Sequence, residues 1–450
     1  MRGLLRETKQ FMIYDSYYGA SAWLNADQLK LDYTVIIIGA GPAGIFTYHE
    51  LMLAGIRDVV VIDKSSGSEV GSWNRYAYNE YLRSPKSIGG WERGNHELSI
   101  EWYMISRYGQ NRWENMEQVS RVDWIEYIAW FRDKIGLNPF YNTEALDIQL
   151  KSEEISLSLI GPLGRKNISC GCLVVATGMA GYGGWYIPET LKINVPSDHI
   201  IHANSPELDS MFCLKQSIAV LGVGASAFDA ANFAINAGAR KVDICYRRKE
   251  IPRKEYYRHM ENNFFLEHYC SLCDESKILI AKCSARNGTP PAAHHFEKVS
   301  RSNNVSFKSE IAVEDIRYDG KKVVIGTQKY DQIISATGYN ISCKDDPILS
   351  KLCTQILHWS DLYGCDDERC EVTWSRYPYL GDHYELLLKG KVKTGVFIFN
   401  GAANMSMGYV GALSISSYKY GIPRLVRGVA RFLISHVENH VVRTVLEIMG

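Results

Sequence analysis

A strand, a glycine-rich turn, a helix and a second strand occur twice in this chain, and no other feature restricts its fold as much. The first copy runs from YTVIIIG (33–39) through GAGPAG and the segment PAGIFTYHELMLAG (42–55) to VVVIDK (59–64). The second is SIAVLGVGASAFDAANFAINAGARKVDICYRR (217–248), with Gly222 standing 183 residues after Gly39. Short β-branched runs ending in glycine read as strands buried on both faces of a parallel sheet. Ile45, Tyr48, Leu51 and Met52 fall at helical spacing, and Gly55 and Gly238 are the expected helix stops. Each copy is therefore a βαβ unit with a right-handed crossover. The fold class expected is α/β, with two Rossmann-like dinucleotide-binding domains.

The 450 residues leave room for those domains, and their charges limit the partners. Fifty Lys and Arg balance fifty Asp and Glu, so the basic surplus of a nucleic-acid binder is missing. Eleven cysteines, an odd number spread from Cys170 to Cys370, fit reduced thiols better than a disulfide framework. The start MRGLLRETKQFMIYD has no apolar signal region, and no uncharged apolar run is long enough to span a bilayer. A cytoplasmic protein is expected, acting on a small molecule, without nucleic-acid or membrane partners and with no metal site.

In the first turn Gly39, Gly41 and Gly44 fit G-x-G-x-x-G, with Pro42 and Ala43 between them. The first glycine permits the tight turn, the second admits a pyrophosphate, and the third lets helix and strand pack closely. The helix N-terminus offers free N–H groups to phosphate. Asp63 lies 24 residues after Gly39, where a carboxylate accepts from a ribose diol, with Lys64 beside it. The second turn keeps Gly222 and Gly224 but continues Ala225, Ser226, Ala227. Its second strand ends not in an acid but in Arg247 and Arg248, which suit a 2′-phosphate. The first unit is thus expected to hold FAD and the second NADPH, the flavin doing the redox chemistry. A ligand-free tight turn and a solvated charge pair are the plainer alternatives.

Between and after the units, 123–136 reads as an amphipathic helix. CLVVATGMAGYG (172–183) and QIISATGYN (332–340) read as strands ending at Thr177-Gly178 and Thr337-Gly338, suited to crossings between domains. Residues 341–390 read as loop-rich, VFIFNGA (396–402) as a buried strand, and the C-terminal region as helical with an interruption near Pro423. The expected division is an irregular arm over 1–32, which packs on the core or on a neighbouring subunit of a homodimer, and an FAD domain in two parts, 33–178 and 336–450. A NADPH domain with a substrate-side insertion, 179–335, lies between those parts.

GAGPAG, GSW (71–73), LRSPKS (82–87), GVGASAFDAA (222–231), YRRKEIPR (246–253), both ATG turns, YPYLGDHYEL and FNGAANMSMG together resemble the class B flavin monooxygenases. That group contains flavin-containing monooxygenases, Baeyer–Villiger enzymes and N-hydroxylases, and the match covers 33–435. LRSPK, TPPAAHHFEKVSR (289–301) and PYLG are most similar to a bacterial subgroup that hydroxylates small polar substrates, among them amino-acid N-monooxygenases and a urate hydroxylase. The resemblance implies that NADPH reduces FAD, that molecular oxygen adds at flavin C4a, and that the resulting peroxyflavin hydroxylates a nucleophile, first of all an amine nitrogen. It further implies flavin contacts for Trp73, Arg83, Ser84, Asn400 and Asn404, of which Ser84 and Asn404 are the candidate catalytic residues. Lys86 and Lys298 become substrate candidates, in a pocket built from the LRSPK loop, the 250–300 segment and the 404–412 turn. The chain departs from its relatives in places. The fingerprint F-x-G-x-x-x-H survives only as His202, with Pro196 and Asp198 where Phe and Gly are expected. Lys298 and Ser300 replace Arg and Thr, and Ser87 replaces His.

Other constellations carry less. Cys270 and Cys273 lack partners at zinc spacing and follow the second glycine turn instead of preceding it as in thioredoxin reductases. They read as structural thiols, as do Cys170 and Cys172. Ser226 lies outside a G-x-S-x-G elbow, and the arginines at 424, 427 and 431 fit a helix packed on the core. Two other functions remain open: a flavin or disulfide reductase without oxygen insertion, and a non-catalytic FAD- and NADPH-binding flavoprotein.

Overall fold

The computed structural model describes residues 29–449 apart from 69–70, 76–77, 152–153, 365–372 and 409–413. The expected N-terminal arm, up to residue 28, lies outside the described residues. Strand β1 (Tyr33–Ile38), helix α1 (Pro42–Leu53) and strand β2 (Val59–Ile62) form the first βαβ unit, with Val35 opposite Val59 in a parallel pair. Residues Thr34 to Ile38 are all buried, as a strand covered on both faces requires. Helix α2 (Arg121–Lys134) starts at a Ser120 cap whose side chain accepts the Asp123 N–H. Strands β3 (Glu144–Leu150), β4 (Ile155–Gly161) and β5 (Gly164–Gly178) follow. Beyond residue 170 β5 lies parallel to β1, Ile37 opposite Val174, while its first half turns out to pair antiparallel with β4.

The second unit repeats the plan. Strands β6 (Ile200–His202) and β7 (Ser217–Leu221), helix α3 (Ala225–Asn236) and strand β8 (Lys241–Cys245) are followed by helices α4 (Asp274–Asn287) and α5 (Ala293–Ser300) and strand β9 (Val305–Lys308). A meander of β10 (Ile316–Tyr318), β11 (Val323–Ile325) and β12 (Gln328–Tyr330) leads into β13 (Gln332–Ser335). The parallel sheet has the order β6-β13-β7-β8-β9. The chain then returns through β14 (Glu385–Leu388) and β15 (Val392–Asn400) to the first sheet, ordered β14-β15-β5-β1-β2 with the β3–β4 hairpin attached to β5. The two expected dinucleotide units are present, and the second is inserted into the first.

One region differs from the sequence reading. Helix α6 (Tyr418–Met449) runs through Pro423 without interruption. The proline lies in the second turn, where its missing N–H removes one bond to Lys419, and buried Ile422, Leu425, Val426, Val429, Leu433 and Val437 hold the helix on the core. Helix α4, although inserted within the second unit's strands, packs partly on the first unit: Ala281 belongs to the first core. Among the described residues no helix is long and apolar enough to cross a membrane, and no group of three His, Cys, Asp or Glu side chains could hold a metal ion.

Candidate active site

Each glycine turn is closed from above by the end of the strand that bears an ATG tripeptide. Gly39 has φ +110°, and a Cβ there would lie 2.4 Å from the Ala176 carbonyl oxygen. Gly222 has φ +120°, and its Cβ would lie 2.5 Å from the Ala336 carbonyl oxygen. Neither position tolerates a side chain, for conformational and steric reasons together. The two ATG strands are therefore part of the turns they were expected only to connect.

Asp63 organises the first turn. One of its carboxylate oxygens accepts the Ala40 N–H and the other the Ser65 N–H, each at 2.8 Å. Both oxygens keep lone pairs for a ribose diol. Helix α1 begins behind Gly41 without a capping side chain, with Pro42 at its first position and Ala43 and Gly44 following, so its N-terminal dipole faces the turn unshielded. Lys64 is exposed. Trp73, Gly41, Pro42, Trp124, Arg132 and Tyr141 line a notch of about 60 Å³ below the turn. Asn400 is completely buried. Its amide donates to Thr177 Oγ1 and to the Gly181 carbonyl, both at 2.9 Å, and its Oδ1 accepts the Ala402 N–H. That corrects the expected flavin contact: with both amide N–H groups engaged, Asn400 ties Thr177 to Gly181 instead.

The second turn has the same parts. Helix α3 follows Gly224 without a capping side chain, with Ala225 and Ser226 in its first turn. Thr337 Oγ1 donates to the Tyr186 carbonyl and lies 2.8 Å from Ser335 Oγ. His202 fixes the turn at Gly338. Its Nδ1 accepts the Asn204 N–H at 3.0 Å, so the proton sits on Nε2, 2.9 Å from the Gly338 carbonyl. The ring stacks on Trp185, and burial pushes its pKa down to about 4. The surviving histidine of the divergent fingerprint thus acts as a neutral clamp on a backbone turn. Past β8 the two arginines separate. Arg247 is exposed, whereas Arg248 donates to the carbonyls of Ala285 and Arg286 at the end of α4. Arg248 caps the end of α4 with these two donations.

The remaining candidates divide. Ser84 is buried, with Ser416 Oγ 3.4 Å away and itself 2.8 Å from Glu261 Oε1. Asn404 is buried and donates to Tyr339 Oη at 3.2 Å, and its own Oδ1 has no donor. Such an acceptor costs stability when left unmet. Part of the expected 404–412 turn lies outside the described residues. Arg83 reaches across to Asp229 on α3 at 3.9 Å, and Asp229 also holds His295 Nδ1 at 2.5 Å. Lys86 donates to the carbonyls of Trp113 and Glu114, at 2.6 and 2.9 Å, and covers the Trp113 ring. It closes a short helix (Gln110–Asn115). Lys298 pairs with Glu80 at 3.0 Å on the rim of an open cleft of about 870 Å³ that Tyr81, Arg112 and His294 also line. Cys273 is exposed, 3.2 Å from Ser276 Oγ, and Cys270 is half-buried; both thiols are free. Tyr339, Asp229 and Trp124 escaped the sequence reading. Of these only Tyr339, directly after an ATG turn, carried a local signal.

A family profile described as pyridine nucleotide-disulphide oxidoreductase matches residues 36–262. A curated relative, the FAD-dependent urate hydroxylase of Xanthomonas campestris, is 28% identical over 411 residues, covering 88% of this chain and 85% of its own length. Among solved structures, ornithine hydroxylase from Pseudomonas aeruginosa superposes with a TM-score of 0.70 at 16% identity, covering 89% of this chain and 99% of that one. L-lysine 6-monooxygenase from Pseudomonas syringae gives 0.66 at 15% identity, with 89% and 99% covered.

Proposed function

The chain belongs to the pyridine nucleotide-disulphide oxidoreductase family, and from that premise we propose that it is an NADPH- and FAD-dependent monooxygenase that hydroxylates a small polar substrate, first of all at an amine nitrogen. One observation carries the reading most: two glycine turns of the same build, each with an uncapped helix N-terminus, one followed by an acid and the other by an exposed arginine. The names of the urate hydroxylase, ornithine hydroxylase and lysine monooxygenase support oxygen insertion over electron transfer alone. The nine described cysteines are free thiols, which supports a cytoplasmic setting.

In this reading the N-terminus of α1 binds the FAD pyrophosphate and Asp63 orients the ribose, while the N-terminus of α3 and Arg247 bind NADPH. FAD held there would supply the redox and oxygen-activating chemistry, with NADPH as the reductant. The chain's task is to hold the two nucleotides in register and to keep water from the reacting atoms. Neutral His202 and Asn400 fix the two ATG turns, and Asn404 and Ser84 lie buried where they can complete contacts to a ligand. The test is product mass under ¹⁸O₂ with FAD, NADPH and urate, ornithine or lysine. One labelled oxygen atom in a product is expected; NADPH oxidation with no label in any product would overturn oxygen insertion.

A further inference from the structure

The LRSPK loop and the 250–300 segment meet at one hydrogen-bonded chain, joined by a serine that follows the 404–412 turn. Ser416 Oγ donates to Glu261 Oε1 at 2.8 Å and lies 3.4 Å from Ser84 Oγ. Glu261 ends the short helix Tyr256–Met260, with its N–H donated to the Tyr257 carbonyl. That helix stands between the two units. Tyr257 Oη is 3.4 Å from Thr289 Oγ1, and the Thr289 carbonyl oxygen lies 3.5 Å from where a Cβ on Gly224 of the second turn would be. Tyr257 is also within electrostatic reach of Tyr339, which accepts from Asn404. A substrate served by a nucleotide on each unit must sit between them, and Glu261 is placed there. Its carboxylate is half-buried, and among the described residues it meets the Ser416 hydroxyl and no Lys, Arg or His. Nearby cations are engaged elsewhere: Arg258 pairs with Glu255 at 2.9 Å, and Arg424 donates to the Glu267 carbonyl. A partly desolvated carboxylate is stabilised by a cation it can reach.

We propose that Glu261 is a specificity-determining residue of the substrate site, pairing with an ammonium group of a small cationic substrate. The inference rests on the monooxygenase reading and narrows its substrate. An ammonium has no lone pair to receive oxygen, so the nitrogen paired with Glu261 is not the one hydroxylated. The substrate therefore carries a second, reacting nitrogen, as a diamine or a diamino acid does. Urate has no ammonium and gains nothing from this carboxylate. Glu261 acts in binding, through a charge-assisted hydrogen bond that favours cationic molecules over neutral or anionic ones.

The experiment is titration of the FAD-loaded protein with cadaverine, lysine and urate, for the parent and for Glu261→Gln. Glutamine keeps an acceptor for Ser416 and removes the charge. The expected result is about tenfold weaker binding of cadaverine and lysine, with urate bound no less tightly and NADP⁺ affinity unchanged. In turnover the KM for the amine rises while kcat holds, the mark of an interaction made equally in ground and transition states. Glu261→Asp, the second variant should the glutamine form fold poorly, keeps the charge and is expected to lose less amine affinity. Unchanged amine affinity in Glu261→Gln overturns the proposal, and so does an equal loss for urate or a parent that binds neither amine. Amine binding that depends on Glu261, with no ¹⁸O in any product, supports the ammonium site and counts against oxygen insertion alone.

Discussion

The guanidinium of Arg248 donates to two carbonyls at the end of α4, while Arg247, one residue earlier, is exposed beyond β8. In the proposed NADPH site, Arg247 is the residue assigned to the 2′-phosphate. Arg247→Ala is therefore expected to raise the NADPH KM about tenfold and leave the NADH KM unchanged. Arg248→Ala should leave the ratio of the two KM values intact. Initial-rate kinetics with both nucleotides decide, and equal effects of the two substitutions on NADPH would remove the distinction. These arginines also mark how far single residues could be read from sequence. Gly39, Gly222 and Asp63 belong to motifs whose physical reason is local: a tight turn, a close backbone and an acid at a strand end. Asn400, Lys86 and Arg248 carry the same kinds of groups, but their partners lie 223, 27 and 38 residues away. Nothing in a local pattern says that a buried amide will be engaged by a distant threonine.

At the scale of elements, the turn after β13 depends on one uncharged ring. Burial holds His202 at about 4, below its ordinary 6.5, and His49 on α1 is lowered to about 4 by burial and by Arg93. A histidine with a depressed folded value stabilises the fold fully above 6.5, and that stability is lost as pH falls through about 4. For His202 the loss between pH 7 and pH 4 is about 3 kcal/mol. His202→Gln keeps an amide N–H for the Gly338 carbonyl and no longer titrates, so its stability should fall by that much less over the same interval. Denaturant unfolding at the two pH values measures the difference; an unchanged loss would clear His202 of the acid sensitivity. The elements themselves were legible where burial imposes a period. Strand β1 and helix α1 read directly because their apolar spacing is set by the sheet. Pro423 misled because its breaking tendency is local, while the buried face of α6 extends from Ile422 to Val437. The outward pairing of β5 with β4 leaves only a half-buried alternation, a weaker signal than the continuous run at 172–176.

For the molecule as a whole, the reaction proposed needs two nucleotide sites held in register, and α4 touches both units. At its N-terminus the Asp274 carboxylate accepts from Tyr363 and Tyr379, residues of the part that returns to the first sheet, at 2.5 and 2.9 Å. At its C-terminus the last carbonyls accept from Arg248, three residues beyond the second unit's turn-side strand β8. A rigid helix pinned at both ends transmits orientation, and one released at either end does not. Segment 78–83 adds a second tie: Tyr78 donates to the Leu208 carbonyl at 2.8 Å and packs on Phe233 of α3, and Arg83 meets Asp229. The exposed Glu80–Lys298 pair contributes little by itself, because solvent screens it. Asp274→Ala and Arg248→Ala are accordingly each expected to lower product formed per NADPH consumed, on the order of threefold, through misplacement of the two sites. The double variant should be no worse than the poorer single one, because both release the same helix and their effects are coupled. FAD affinity should hold in all three, since neither side chain touches the first turn. Coupling ratios from paired measurements of product and NADPH test this, and losses that multiply in the double variant would mean that α4 is not the connection between the sites.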